Sequence, residues 1–234
     1  MAKSFQRWTV LPHQPIEKLE DNLWRVEGMM PDGKTQRSMV VARMQDGGLL
    51  VHNAIALAPE AMAELEAFGT PRILMVPNGF HRQDARIYKE RYPDLRVICP
   101  AGARKRVEQV VKVDAVLEEG GGDDVVVIEN VEGAKQEGVV TVRSGDKVSL
   151  IFCDLVLNVP RAKGVMGFAL APTGKLSVPR VMRWIGMSNR NAIVDRLNRL
   201  ADLPGLTRIL VGHGRTISAD PGPALKSAAR ELAG

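Results

Sequence analysis

Two short segments far apart in the chain end apolar, strand-like runs on side chains that can bind an ion or move a proton. Phe152-Cys153-Asp154-Leu155-Val156-Leu157-Asn158 presents a carboxylate, and Leu210-Val211-Gly212-His213-Gly214 presents an imidazole between two glycines. Such donors at strand ends suit a metal site, or a pair in which the carboxylate orients the histidine. A third segment, Asn78-Gly79-Phe80-His81-Arg82-Gln83-Asp84, follows the apolar run 72–76. Its strong donors are His81 and Asp84, whose i, i+3 spacing lets both face one way at a helix start. Arg82 adds a positive charge to the same loop, which repels a cation and attracts an anion.

Each of these residues also has a plainer use. Asp154 can bond the backbone of a neighbouring loop, a common task for Asp at turns. His81 and Asp84 can cap the helix or face solvent. His13 lies between Pro12 and Pro15 and belongs to an extended arm. Cys153 beside Asp154 could be a thiol nucleophile with His213 as its base, but a free cysteine in an apolar run is more often buried and inert.

The elements that must position these groups read as follows. Residues 8–11, 23–26, 38–44 and 49–53 are β-prone runs separated by the turn signals Pro31-Asp32-Gly33 and Asp46-Gly47-Gly48. Residues 59–69 form a helix with proline near its start and glycine at its end. The runs 72–76 and 95–99 are strands, and 85–92 and 104–111 are helices. After a loop at 118–124 come strands 125–128, 139–142 and 147–152, the last two joined by Ser144-Gly145-Asp146 as a hairpin. Ile193, Val194, Leu197 and Leu200 make one stripe of a helix at 191–200. A strand at 208–211 and a helix at 223–232 close the chain.

The chain of 234 residues is long enough to bury a sizeable core, and 45% apolar with 25% charged residues is the balance of a globular protein. No run approaches the ~20 apolar residues that cross a bilayer, and the N-terminus lacks the apolar stretch of a secretory signal. Two cysteines inside apolar runs make no disulfide framework, and a reducing cytoplasmic compartment is the default. The net charge of +5 is concentrated: Arg161, Lys163, Lys175, Arg180, Arg183, Arg190, Arg196 and Arg199 face a single acid, Asp195. That patch can be a solvated face or can attract an anionic ligand or surface.

In the order of its elements and motifs, the chain resembles the metallo-β-lactamase superfamily over most of its length. It looks like a branch with a degenerate metal-ligand motif. The resemblance implies an α/β fold, a four-layer αββα sandwich, as one domain over residues 1–234. In that family a strand ends in Asp-x-Gly, a later one feeds His-x-His-x-Asp-His, and a Pro-Gly-His turn, a Gly-Asp strand end and a Gly-His-Gly strand end follow. Here His52-Asn53 takes the place of Asp-x-Gly. Asn78, Phe80, Arg82 and Gln83 take the ligand positions of the second motif, and Glu132-Gly133-Ala134 takes the Pro-Gly-His turn. Cys153-Asp154 and Gly212-His213-Gly214 match the last two motifs, so Asp154 and His213 keep strong ligand types.

A catalytic zinc normally takes three protein ligands and an open position. The expectation is therefore a vestigial site without a dinuclear metal centre and without a cofactor. Asn78, His81, Arg82, Asp154 and His213 would bind a small anionic ligand there. The alternative is a hydrolase with a mononuclear zinc or iron site built from His81, Asp84, Asp154 and His213. If a metal is present, Asp154 and His213 are its ligands. A third alternative is a membrane-surface or partner-binding protein, or a homodimer, working through the lid-like basic and apolar segment 160–190. Nucleic acid is disfavoured, because the basic run lacks interleaved aromatics and any reader motif.

Overall fold

A computed structural model describes residues 4–119, 121–161 and 163–234. They form two compact units that divide between Ile128 and Glu129. The first unit holds a seven-stranded sheet whose strands lie in chain order. They are β1 (Glu17–Glu20), β2 (Leu23–Met29), β3 (Gln36–Arg43), β4 (Gly48–His52), β5 (Thr70–Met75), β6 (Arg96–Cys99) and β7 (Ala115–Val116). β1 to β4 pair antiparallel and are joined by short turns. From β4 onward the pairing is parallel, which requires crossovers. Those crossovers carry α1 (Pro59–Phe68), α2 (Ala85–Arg91) and the short α3 (Arg104–Val107).

Helix α1 starts where Pro59 fits a first turn and ends where the Gly69 N–H reaches the Leu65 carbonyl at 3.3 Å. Its Met62, Leu65 and Phe68 are buried on the sheet, and the Trp24 ring stacks on Phe68 with centroids 3.7 Å apart. They join Val41, Leu49, Val51, Leu74 and Val97 in one apolar cluster. Each such side chain contributes roughly 1.5–3 kcal/mol by leaving water.

The second unit holds a four-stranded sheet ordered β11 (Leu206–Leu210), β10 (Lys147–Ile151), β9 (Gly138–Ser144), β8 (Val126–Asn130), and the chain enters the unit within β8. β9 and β10 form the expected hairpin, with Ser144 opposite Lys147 and Gly145 at φ 59°. β10 and β11 are parallel, and their long connection contains α4 (Gly164–Leu170), a π-helical turn (Met182–Gly186) and α5 (Arg190–Ala201). Asn189 caps α5 by accepting the Ala192 N–H at 3.2 Å. The stripe Ile193, Leu197, Leu200 of α5 and the stripe Leu225, Ala229, Leu232 of α6 (Pro221–Ala233) pack on Leu150, Phe152, Ile209 and Val211.

Four local expectations change. Residues 8–11 are not a strand: Trp8 donates from Nε1 to the Leu57 carbonyl at 3.0 Å and sits 5.1 Å from the Tyr88 ring, so β-prone residues here cover a core edge. The helix expected at 104–111 is a single turn, α3, followed by turns. β1 is an edge strand of the sequence Glu-Lys-Leu-Glu, without apolar alternation, and β7 has two residues. Neither carries a periodic signal. Both cysteines are buried, and neither forms a disulfide. Among the described residues no helix is long and apolar enough to cross a membrane.

Candidate metal-binding residues

In the second unit, the ladder between β10 and β11 continues past the strand ends. The Phe152 N–H bonds the Leu210 carbonyl at 3.0 Å, and the Gly212 N–H bonds the Cys153 carbonyl at 3.1 Å. A Cβ on Gly212 would lie 2.9 Å from the carbonyl oxygen and the Sγ of Cys153, so only glycine allows this approach. Gly214 has φ +100°, and a Cβ there would overlap the Asn158 carbonyl, which accepts the Arg215 N–H at 3.0 Å. The two glycines thus lay the loop after β11 against the segment after β10. His213, between them, is brought opposite Asp154.

The His213 Nε2 and the Asp154 Oδ1 are 3.5 Å apart, with both side chains about one-fifth exposed (17% and 21%). That separation exceeds the usual N–H···O range of about 2.7–3.2 Å. Two ligands about 2.0–2.1 Å from one tetrahedral ion lie about 3.3–3.4 Å apart. The pair therefore has the spacing of two donors to a single cation. Glu137, just before β9, is buried, and its Oε2 accepts the Asp154 N–H at 3.3 Å. Cys153 is fully buried, which fits an inert thiol.

In the first unit, His81 is buried and oriented by Asn53. The Asn53 Nδ2 donates to the Ser38 carbonyl at 2.8 Å, which turns its Oδ1 toward the His81 Nδ1 at 3.0 Å. An acceptor at that position requires Nδ1 to carry the hydrogen, so neutral His81 has its lone pair on Nε2. Metal-binding histidines are commonly prepared in this way. Asn53 holds φ 56°, a left-handed conformation that asparagine tolerates better than most residues.

The other expected residues of this loop are committed elsewhere. The Asn78 Oδ1 accepts the N–H groups of Phe80 (2.9 Å) and His81 (3.2 Å), so this side chain closes a turn of its own loop. The Arg82 Nη1 donates to the Arg106 carbonyl and, at 2.7 Å, to Gln109 Oε1; desolvation and the Arg106 charge lower its pKa. Asp84 occupies the cap position of α2, yet its side chain does no capping and does not face solvent. Its Oδ2 pairs with the buried Arg37 at 2.6 Å and its Oδ1 accepts the Ala56 N–H at 3.0 Å. Burial pushes the Asp84 carboxyl up against the opposing pull of Arg37. Asp84 is thus a structural anion tying α2 to β3. His13 is part of the arm, its Nε2 accepting the Ala58 N–H at 3.0 Å.

Sequence spacing marks Asp154, His213 and His81 but not Asn53 as an orienting group or Glu137 as a buried carboxylate. The one available signal for Asn53 is its position directly after a buried strand. Glu137 lies in Gln136-Glu137-Gly138 with nothing in its spacing to distinguish it from a solvated turn.

No family model and no curated protein matches this sequence. Solved structures do match it in shape. The DIM-1 metallo-β-lactamase superposes with a TM-score of 0.64 at 12% identity, covering 94% of this chain and 99% of that one. The metallo-β-lactamase FIM-1 from Pseudomonas aeruginosa, in its mono-zinc form, gives 0.63 at 11%, covering 95% and 96%. A metallo-β-lactamase from Hirschia baltica gives 0.61 at 13%, covering 94% and 98%. The chain has a metallo-β-lactamase-like α/β fold with two sheets and helices, as the order of its motifs implied.

Proposed function

We propose that this protein holds a single divalent cation, zinc or iron, through Asp154 and His213, and that its chemistry is hydrolytic. The observation that carries this reading is the 3.5 Å spacing of the His213 Nε2 and the Asp154 Oδ1 on adjacent strand ends. The fold supports it, since one of the similar structures is a metallo-β-lactamase in a mono-zinc form. A dinuclear centre has less support: in the register that the resemblance implies, Phe80 and Ala134 take ligand positions, and neither has a donor side chain. A bound divalent cation acidifies water and polarises a carbonyl or phosphoryl oxygen, which is the chemistry of ester and phosphodiester hydrolysis. The chain's own part is to hold and orient. Gly212 and Gly214 set the approach of the two strand ends, and Glu137 fixes the backbone of Asp154. Asp154 and His213 would supply two of the three protein ligands that a catalytic zinc normally takes, and a third donor would have to complete the set.

The anion-binding reading has less support, because the Arg82 guanidinium that motivated it is bonded to Arg106 and Gln109. Metal analysis of the protein after zinc or iron loading and dialysis tests the proposal. It expects about one ion per chain, lost in both Asp154→Ala and His213→Ala. Wild-type protein that retains no ion, or variants that retain as much as wild type, would refute it.

A further inference from the structure

The second unit carries an apolar face that the ion does not explain. On α4, Val165 and Phe168 are 89% and 57% exposed, and on the π-helical turn Trp184 and Ile185 are 61% and 59% exposed. The Phe168 and Trp184 rings lie 5.9 Å apart, so the two short helices present one surface. Cations border it. Arg180 stacks on Phe168 at 4.4 Å, and Arg161 and Lys163 are exposed on the chain leading into α4. Between Asp154 and Asp195 the sequence contains no acidic residue. Glu231 on α6 pairs with Lys175 and Arg183 and leaves the other cations of the segment their charge.

We propose that α4 and the Met182–Gly186 turn dock on an anionic phospholipid bilayer. Val165, Phe168, Trp184 and Ile185 enter the boundary between headgroups and acyl chains, and Arg161, Lys163 and Arg180 meet the lipid phosphates. Charge complementarity selects this occupant. A second copy of the chain would bring the same cations against themselves, and like charges across an interface oppose association. Single-stranded nucleic acid would use the aromatic rings for stacking but has no use for Val165 and Ile185. An interfacial surface wants all three features: aromatic rings, aliphatic side chains and a basic rim.

Sedimentation with vesicles of phosphatidylcholine alone, and of phosphatidylcholine mixed with phosphatidylglycerol, tests the inference on the intact protein. It expects binding to the anionic vesicles only, weakened by salt and accompanied by a blue shift of Trp184 emission. Arg161→Gln and Lys163→Gln each lower partitioning about fivefold. The double variant Phe168→Ser with Trp184→Ser keeps its circular dichroism, because both residues are exposed, and loses binding. No binding to anionic vesicles, or equal binding by the double variant, overturns the inference. So does a wild-type dimer, seen by sedimentation velocity, that the double variant dissolves.

Discussion

His81 shows how much chemistry a single hydrogen bond can settle. Asn53 spends its amide on the Ser38 carbonyl and its oxygen on the His81 Nδ1, and that fixes which ring nitrogen carries the proton. Nitrogen-15 NMR is expected to find neutral His81 as the Nδ1–H tautomer. Asn53→Ala should release that preference while the chain stays folded; a ring that keeps the tautomer in the variant would contradict the role assigned to Asn53. As candidates, Asp154 and His213 are legible in the sequence because each ends an apolar run and His213 stands between glycines. What Asn78, Arg82 and Asp84 bond is not legible, because sequence position does not say where a side chain points. Asn78 turns back on its own loop, Arg82 reaches toward α3, and Asp84 meets an arginine on a strand far away in sequence.

At the scale of elements, the buried pair Arg37–Asp84 joins β3 to the start of α2, and both side chains are almost entirely out of water. Removing one partner strands the other charge. Arg37→Met should therefore destabilise the first unit by about 3–5 kcal/mol, and adding Asp84→Leu should restore part of the loss. Urea unfolding of the two variants checks both expectations. The turn between β2 and β3 provides a pH test. Asp32 accepts from the Thr35 hydroxyl and from the N–H groups of Thr35 and Lys34, and these bonds, with the Thr35 side chain foremost, lower its pKa from 3.8 to about 2. The folded value lies below the unfolded one, so the turn is stabilised above pH 3.8 and loses that contribution as pH falls through about 2. The side chain is exposed, which keeps the effect small. An NMR titration should place the Asp32 midpoint near 2 in wild type and higher in Thr35→Val. The long elements are legible because their apolar period is, as in α5 and the β9–β10 hairpin. β1 and β7 lack such a period, and pairing with a neighbour is what makes them strands.

For the whole molecule, a likeness in shape at 11–13% identity shows what the fold requires. It requires apolar strands in a given order, not a given set of ligands. That is why the order of motifs could reveal the fold without deciding which residues would hold an ion. The glycines at the end of β11 remain under a separate demand, since they admit the backbone approach that faces His213 toward Asp154. Gly212→Ala should push the Cys153 segment away and weaken metal uptake with little loss of fold, seen as reduced metal content beside unchanged circular dichroism.

The proposed ion is tested most directly by X-ray absorption at the metal edge of zinc-loaded protein, compared with His213→Ala and Asp154→Ala. A shell of nitrogen and oxygen at about 2.0–2.1 Å with imidazole scattering is expected in wild type, with that scattering reduced in His213→Ala and the oxygen contribution reduced in Asp154→Ala. Spectra that are the same in all three proteins would mean that the ion sits elsewhere and that the pair is a structural contact.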